Sequence, residues 1–471
     1  MHPVHQRDRV AHPGGFRARP EWTAPFVGSA ALLVIAVVLG GASRQHELRL
    51  AVVELASLPL LIVSVFTLLK SSPDAGPSRL FLGLLAGLVA IPLLQLVPLP
   101  PAVWTRLPGR EEMVLALELG GLTPGWSPLS LTPDKTWRSL LALLPPVAMA
   151  LGVLATPSAA RRHLATLLLW LVVAAIVLGT IQLASGGERF YPWQTTNAGA
   201  LVGFFANRNH MATLCLATLP LAVGLAARAL RKSGNDVAAI WLTAALTVLL
   251  IIAIGAIRSR MGVVLLVPVL GASLVSVWIA TGRSRPSPIL LLLAAASVIA
   301  LVILANFTLP SILARFGGGS GEVRLENWTY VIAAADRYAP VGSGIGSFDA
   351  VFRSVEPLAR LDNTYFNQAH NDYLETWLET GWAGLILFGV FAVWFARRAW
   401  RAWRASGTGN VDLQRGATVA ILAVLLHSTV DYPLRTAAMA MVFALLCAVL
   451  EPTPDADRRN ARGRPRSSES Y

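Results

Sequence analysis

Charge is scarce in this chain of 471 residues. Only 14% of them are Asp, Glu, Lys or Arg, where an ordinary soluble domain carries about a quarter. Cysteine is scarcer still. Cys215 and Cys447 are the two present, both inside apolar runs, which excludes a disulfide framework and any zinc-ligand spacing. The glycine-rich stretch Arg315-Phe316-Gly317-Gly318-Gly319-Ser320-Gly321 lacks the Gly-Lys-Ser/Thr ending of a phosphate loop and reads as a hinge. No paired-Asp motif, solenoid-period repeat or inverted repeat of broken helices is present.

What is abundant is hydrophobic sequence. Apolar residues make up 55% of the chain and the mean hydropathy is +0.59. Apolar runs fall at roughly 24–42, 50–69, 80–97, 139–156, 163–184, 210–230, 237–257, 262–280, 288–308, 383–396, 416–431 and 436–450. Each approaches the ~20 residues a helix needs to cross the hydrocarbon core, the last three being short. The fold expected is therefore an all-α polytopic membrane protein with about 12 spans. The first run follows a basic tail without a small-residue cleavage site and reads as a retained signal anchor.

The formal net charge of +13 is explained by topology. Arg7, Arg9, Arg17, Arg19, Arg161, Arg162, Arg228, Arg231, Lys232, Arg283 and Arg285 fall on the side assigned to the cytoplasm. So do Arg397, Arg398, Arg401, Arg404 and the tail from Arg458 to Arg466, as the positive-inside rule requires with both termini cytoplasmic. Scattered between spans, these cations form no single nucleic-acid-binding face.

The organisation that follows is a disordered cytoplasmic tail (1–22), nine spans (23–308), a large external loop (309–382), three spans (383–450) and a disordered basic tail (451–471). His2, His5 and His12 in the first tail have no second cluster to make a metal site. A second external loop, 98–138, holds a short amphipathic helix around Glu111–Leu119. In the large loop a helix is expected over Val323–Arg337, with Trp328, Ile332 and Ala335 on one face. A glycine-rich turn, Pro340–Phe348, comes next, then a helix from about Asn371 to Thr380 that Gly381 ends.

Long ordered loops between spans are where function concentrates. His370 is the single histidine of the large loop, in Gln368-Ala369-His370-Asn371-Asp372-Tyr373-Leu374-Glu375, and imidazole is the usual base for activating a hydroxyl. A surface residue beside a helix cap is the plainer reading of that histidine alone, with Asn371 or Asp372 as the cap. Arginines on the outer side run against the positive-inside bias: Arg208 in Phe204-Phe205-Ala206-Asn207-Arg208-Asn209-His210, Arg258 and Arg260 around Ser259, and Arg324 in the loop. Guanidinium groups near apolar spans face a cavity or snorkel to headgroups. Two or three in one cavity suit phosphate, whose oxygens the planar fork binds bidentately. His427 and Asp431, four apart, are expected to face each other on one helix side.

In their order, Phe-Xaa-Asn-Arg-Asn, Ser-Arg-Met-Gly, Arg324-Xaa-Xaa-Xaa-Trp328, the glycine turn and His-Asn-Asp-Tyr-Leu-Glu resemble the O-antigen ligase and polymerase family over about 200–450. The resemblance implies a bacterial inner-membrane glycosyltransferase of lipopolysaccharide or exopolysaccharide synthesis. It would move a glycan from undecaprenyl diphosphate to a sugar hydroxyl of lipid A–core or of a growing polysaccharide. It further implies His370 as general base, Arg208 and Arg260 as diphosphate ligands and Arg324 as a substrate-positioning residue. Asn207, Ser259, Asn371 and Asp372 would support them, without metal or cofactor and with inversion at the anomeric carbon. A transporter or flippase of lipid-linked oligosaccharides is the rival class, and a non-enzymatic assembly scaffold a third. A flippase would spread its polar residues through the midplane; here they gather outside.

Overall fold

The computed structural model describes residues 22–42, 47–71, 77–186, 190–191, 199–233, 237–282, 320–358, 366–406 and 410–452, with isolated positions between 291 and 306. Residues 1–21 and 453–471 of the tails, most of the run 288–308 and the hinge 315–319 lie outside the described residues; Glu451, expected in the disordered tail, is instead buried at the end of the last helix.

The architecture is an all-α membrane bundle. Thr23 caps the first helix, α1 (Ala24–Leu39), its hydroxyl accepting the Phe26 amide at 3.4 Å. Then come α2 (Glu47–Leu69), α3 (Arg79–Gln95), the short α4 (Pro101–Trp104) and α5 (Glu111–Leu119), which matches the expected amphipathic helix. Next follow α6 (Pro133–Ala142), α7 (Leu144–Ala155), α8 (Ser158–Ala184), α9 (Arg208–Ser233), α10 (Val237–Ile257) and α11 (Arg260–Thr281). Beyond the undescribed stretch lie α12 (Ser320–Tyr338), α13 (Phe348–Val355), α14 (Asp372–Arg404), α15 (Val411–His427) and α16 (Ala437–Leu450). Seven helical stretches among the described residues are long and apolar enough to cross a membrane, with α1, α3 and α16 shorter but apolar.

Helix α9 is the axle of the bundle: 83% of its apolar window is buried, against at most 44% for the other long helices. It packs on α15, α11 and α10. The α9–α15 pair approaches closely because Gly416 sits against α9; a Cβ there would lie 2.4 Å from the Pro220 carbonyl oxygen. That closeness brings the first turn of α9 alongside the last turn of α15.

At the opposite end of these helices, buried charges lock the bundle. Arg398 pairs with the buried Glu451 at 2.7 Å, and Glu451 also accepts from Trp394 Nε1 and from the Ser78 amide, each at 2.8 Å. Arg231 and Arg415 both pair with the buried Asp412.

The segments expected to be external pack on each other. A second small core gathers Val331, Ala335, Tyr338, Phe348, Phe352 and Leu378 beneath α12, α13 and α14. Of the residues expected on one face of α12, Ala335 is buried and Ile332 is 39% exposed, while Val331 joins Ala335 in the core. Helix α13, with Phe348, Val351 and Phe352 on its inner side, follows the glycine-rich turn and was not expected from the sequence. Loop 98–138 is fastened to this unit: Leu131 donates to Ser343 O (2.9 Å), Thr136 Oγ1 to Ile345 O (2.7 Å), and Lys135 pairs with Asp349 at 3.2 Å. Gln95, at the end of α3, accepts from the Ile345 amide and donates to Glu379 O, both at 2.9 Å.

Gly381 breaks α14 into two helices, as expected, at φ 57° and ψ −141°. Trp382 N then donates to Pro340 O at 2.9 Å, so the break is where the loop is seated.

A candidate site centred on Asp431

The helix α15 ends at His427, and the chain turns through Ser428 to Asp431 before the 3-10 turn Pro433–Arg435. This corrects the expectation that His427 and Asp431 share a helix face. Instead, the Asp431 amide closes a turn on His427 O at 3.1 Å, and His427 Nδ1 shares a hydrogen bond of 2.8 Å with Thr213 Oγ1 on α9.

Asp431 is 1% exposed and is the meeting point of three elements. His370 Nδ1 from the large loop lies 3.4 Å from its Oδ1, and His210 Nε2 from α9 lies 3.9 Å from the same oxygen. Asn209 Nδ2 donates to Oδ2 in a short hydrogen bond, and the Tyr432 amide donates to Oδ1 at 2.9 Å. Tyr432 presents its ring edge-on to both imidazoles, 4.9 Å from His370 and 5.1 Å from His210. Burial raises the Asp431 carboxyl, but the imidazoles of His370, His210 and His427 outweigh burial and hold it below the ordinary carboxylate range.

His370 is held in a conformation that L side chains rarely adopt, with φ at +51°. Its neighbours explain how that strain is tolerated. The Ala369 carbonyl accepts from Trp328 Nε1 at 2.7 Å, and the Ala369 amide donates to Glu375 Oε2 at 2.8 Å. On the other side Asn371 is the cap of α14, its Oδ1 accepting from Tyr373 N (3.0 Å) and Leu374 N (3.1 Å). The amide of Asp372 donates to Ser428 O at 3.0 Å, tying the cap to the turn that carries Asp431. Backbone strain clamped from several directions is characteristic of functional sites.

Arg435 organises the next layer. Its guanidinium lies 2.7 Å from Glu379, 3.2 Å from Glu375 and 3.7 Å from Asp372, three carboxylates on one side of α14. Glu379 Oε1 in turn accepts from the Gly346 amide at 2.8 Å, so one arginine links the site turn, α14 and the glycine-rich turn.

The sequence-predicted arginines divide. Arg208 opens α9, next to Asn209, whose side chain reaches Asp431. Asn207 precedes it as cap: its Oδ1 accepts from Asn209 N at 2.8 Å, and its Nδ2 lies 3.4 Å from His210 Nε2. Arg260 opens α11, capped by Ser259, whose hydroxyl accepts from Gly262 N at 3.2 Å. The first turns of α9 and α11 adjoin, since a Cβ on Gly262 would lie 3.0 Å from the Ala212 side chain. Both arginines are half-buried, whereas Arg258 is exposed. Arg324 lies on the first turns of α12, and its side chain is outside the described residues.

His210, Glu375, Glu379 and Arg435 escaped the sequence reading. His210 stood inside a motif already singled out, but its role depends on the contact between α9 and α15, which no local pattern encodes.

Residues 245–389 match the family model described as O-antigen ligase. That stretch takes in Arg260, Arg324 and His370, begins after Arg208 and ends before Asp431. It supports the O-antigen ligase/polymerase family, and with it glycan transfer of that general kind by a multi-pass membrane protein. No curated protein matches the chain.

Proposed function

We propose that this chain, in keeping with the O-antigen ligase match, transfers a glycan from a polyprenyl diphosphate, undecaprenyl diphosphate in bacteria, to a sugar hydroxyl. The acceptor belongs to lipid A–core or to a growing polysaccharide, and the site faces the periplasm from the inner membrane. The observation that carries this reading is the 3.4 Å approach of His370 Nδ1 to the buried Asp431.

With Nδ1 turned to a carboxylate, Nε2 is the nitrogen left for the acceptor. It takes the hydroxyl proton as the oxygen attacks the anomeric carbon, and the bond from that carbon to the diphosphate oxygen breaks. Asp431 orients the ring and balances the imidazolium charge as it forms. The departing diphosphate gathers negative charge, and we assign its binding to Arg208 and Arg260, on the adjoining first turns of α9 and α11. No metal is needed for either task in this scheme, and direct displacement inverts the anomeric centre. Arg324 is assigned to substrate positioning by the motif alone.

The test uses the full chain in lipid nanodiscs with a polyprenyl-diphosphate glycan and a glycan acceptor. His370→Gln keeps a polar side chain of similar reach, and product formation is expected to fall by about two to four orders of magnitude. Undiminished transfer by that variant would overturn the base assignment.

A further inference from the structure

The loop between α3 and α6 carries apolar side chains that the chemistry at Asp431 does not use. No residue of α5 is buried. Leu115, Leu119 (82% exposed), Leu122 and Trp126 (71%) all stand open, in α5 and just beyond it. Apolar surface of this kind marks a site of contact with protein or membrane. The acidic first turn of α5 is held to the large loop, Glu112 pairing with Arg337 of α12 at 3.0 Å. The second half of the helix is therefore the part that presents leucine outward.

Helix α3 sets the level of this loop in the bilayer. Its 17 residues measure about 26 Å at 1.5 Å per residue, less than the ~30 Å of the hydrocarbon core. Arg79, a charge that belongs among headgroups, opens the helix, so the shortfall lies at the Gln95 end. Leu94 (67% exposed) and Val97 carry the lipid-facing surface through the last turn of α3 and past it. Pro98 and Leu99 then pair antiparallel with Pro128 and Ser127. That pairing holds Trp126 where hydrocarbon gives way to headgroups, the depth at which tryptophan is enriched. Trp104 Nε1 donates to Gly125 O at 2.8 Å, and Arg110, the residue before α5, donates to Leu129 O at 2.5 Å. The chain on either side of α5 is thus fastened to the same strand.

We propose that this loop is an interfacial anchor: Leu115, Leu119, Leu122 and Trp126 enter the bilayer leaflet on the side of Asp431, between its headgroups and upper acyl chains. Lipid is the occupant because the apolar surface continues the lipid face of α3 without a break at Val97 and Trp126. The anchor has a consequence for the large loop. Leu131, Thr136 and Lys135 of the same segment hold Ser343, Ile345 and Asp349. The glycine-rich turn is thereby fixed in height above the bilayer, whatever the chemistry at Asp431.

The experiment attaches one nitroxide at a time to Leu119→Cys, Leu122→Cys or Trp126→Cys in the full chain, in phosphatidylcholine nanodiscs. Leu94→Cys is the lipid-facing reference and Arg353→Cys the aqueous one. Cys215 and Cys447 are buried, so the introduced thiol takes the label. Power-saturation EPR compares access to oxygen, which collects in lipid, with access to a water-soluble nickel complex. The oxygen-to-nickel ratio at 119, 122 and 126 is expected to exceed that at 353 by roughly fivefold and to approach that at 94. Leu115→Asp with Leu119→Asp is expected to bring the ratio at 122 down to the aqueous value. Melting curves verify assembly, and where one labelled variant does not assemble the other two positions carry the test. A ratio at 119 and 122 equal to that at 353 would overturn the proposal. Exclusion of both reagents would overturn it too, since that is the mark of a partner protein or a second copy on this surface.

Discussion

His370 Nδ1 and Asp431 Oδ1 lie 3.4 Å apart, across the seam between the large loop and the turn that follows α15. The pairing joins two elements with separate supports. Trp328 and Glu375 hold the histidine's backbone, while Asn209 and the Tyr432 amide hold the carboxylate. Removing the charge but not the shape therefore separates orientation from folding. Asp431→Asn is expected to lower kcat by on the order of a hundredfold with little change in the KM for the lipid-linked donor. Steady-state kinetics in nanodiscs, with a melting curve beside them, make the check. A change confined to donor KM would place Asp431 in binding and not in positioning.

The arginines should respond by position. Arg208→Ala and Arg260→Ala each remove a cation from the first turn of a helix beside the site. At about 1.5–3 kcal/mol for a hydrogen bond to a charged group, each should lower kcat/KM for the donor by roughly ten- to a hundredfold. Arg258→Ala, at an exposed side chain, should change it less than about threefold. Donor titrations of the three variants decide the matter; equal losses in all three would point to a general field and not to two ligands.

Much of this was legible in the chain beforehand. Ten of the expected apolar runs fall within about five residues of helices now seen, and an eleventh, 383–396, lies inside a helical stretch that runs on to Arg404. The twelfth, 288–308, lies mostly outside the described residues. Local rules found α5, the Asn371 cap and the break at Gly381, because caps and breakers are properties of adjacent residues. The convergence on Asp431 was not legible. Asn209 and His210 reach it from α9 only because Gly416 lets α9 and α15 touch, and periodicity carries no information on which helices are neighbours. The sequence also extended the eleventh span to Asp431, although the helix stops at His427. An apolar count cannot tell a helix end from the turn that buries its first polar residues. Arg435 stayed hidden for a related reason: its partners on α14 are near only after the chain has turned back.

Arg435→Ala should be the most destabilising single change near the site. It leaves Glu375 and Glu379, each 1% exposed, without their cation. Breaking a buried ion pair by removing one partner costs about 3–5 kcal/mol. Thermal unfolding followed by intrinsic fluorescence should show a lower midpoint for Arg435→Ala than for Arg353→Ala, whose partner Asp349 is reached from a 61% exposed side chain. Equal midpoints would mean that the carboxylates are protonated and that Arg435 does not hold the layer together.

Gly381 makes the most demanding prediction, because nothing about its chemistry is reactive. Its φ of 57° with ψ of −141° is a conformation for glycine, and a Cβ there would stand 2.0 Å from the Pro340 carbonyl oxygen. Backbone cannot yield as a flexible side chain would. Gly381→Ala therefore adds a clash to the roughly 1–3 kcal/mol that a residue with a side chain pays in so sparsely populated a backbone region. The strain falls where Trp382 N meets Pro340 O and where Glu379 grips the Gly346 amide, so the glycine-rich turn should lift from α14. Amide exchange over 340–348 should accelerate, and transfer should fall even though the variant lies more than two helical turns beyond His370. Gly389→Ala, a glycine in the same helix with open space around it, serves as the control and should leave both readouts unchanged. Unaltered exchange in Gly381→Ala would show that the loop's seat on α14 does not depend on this break.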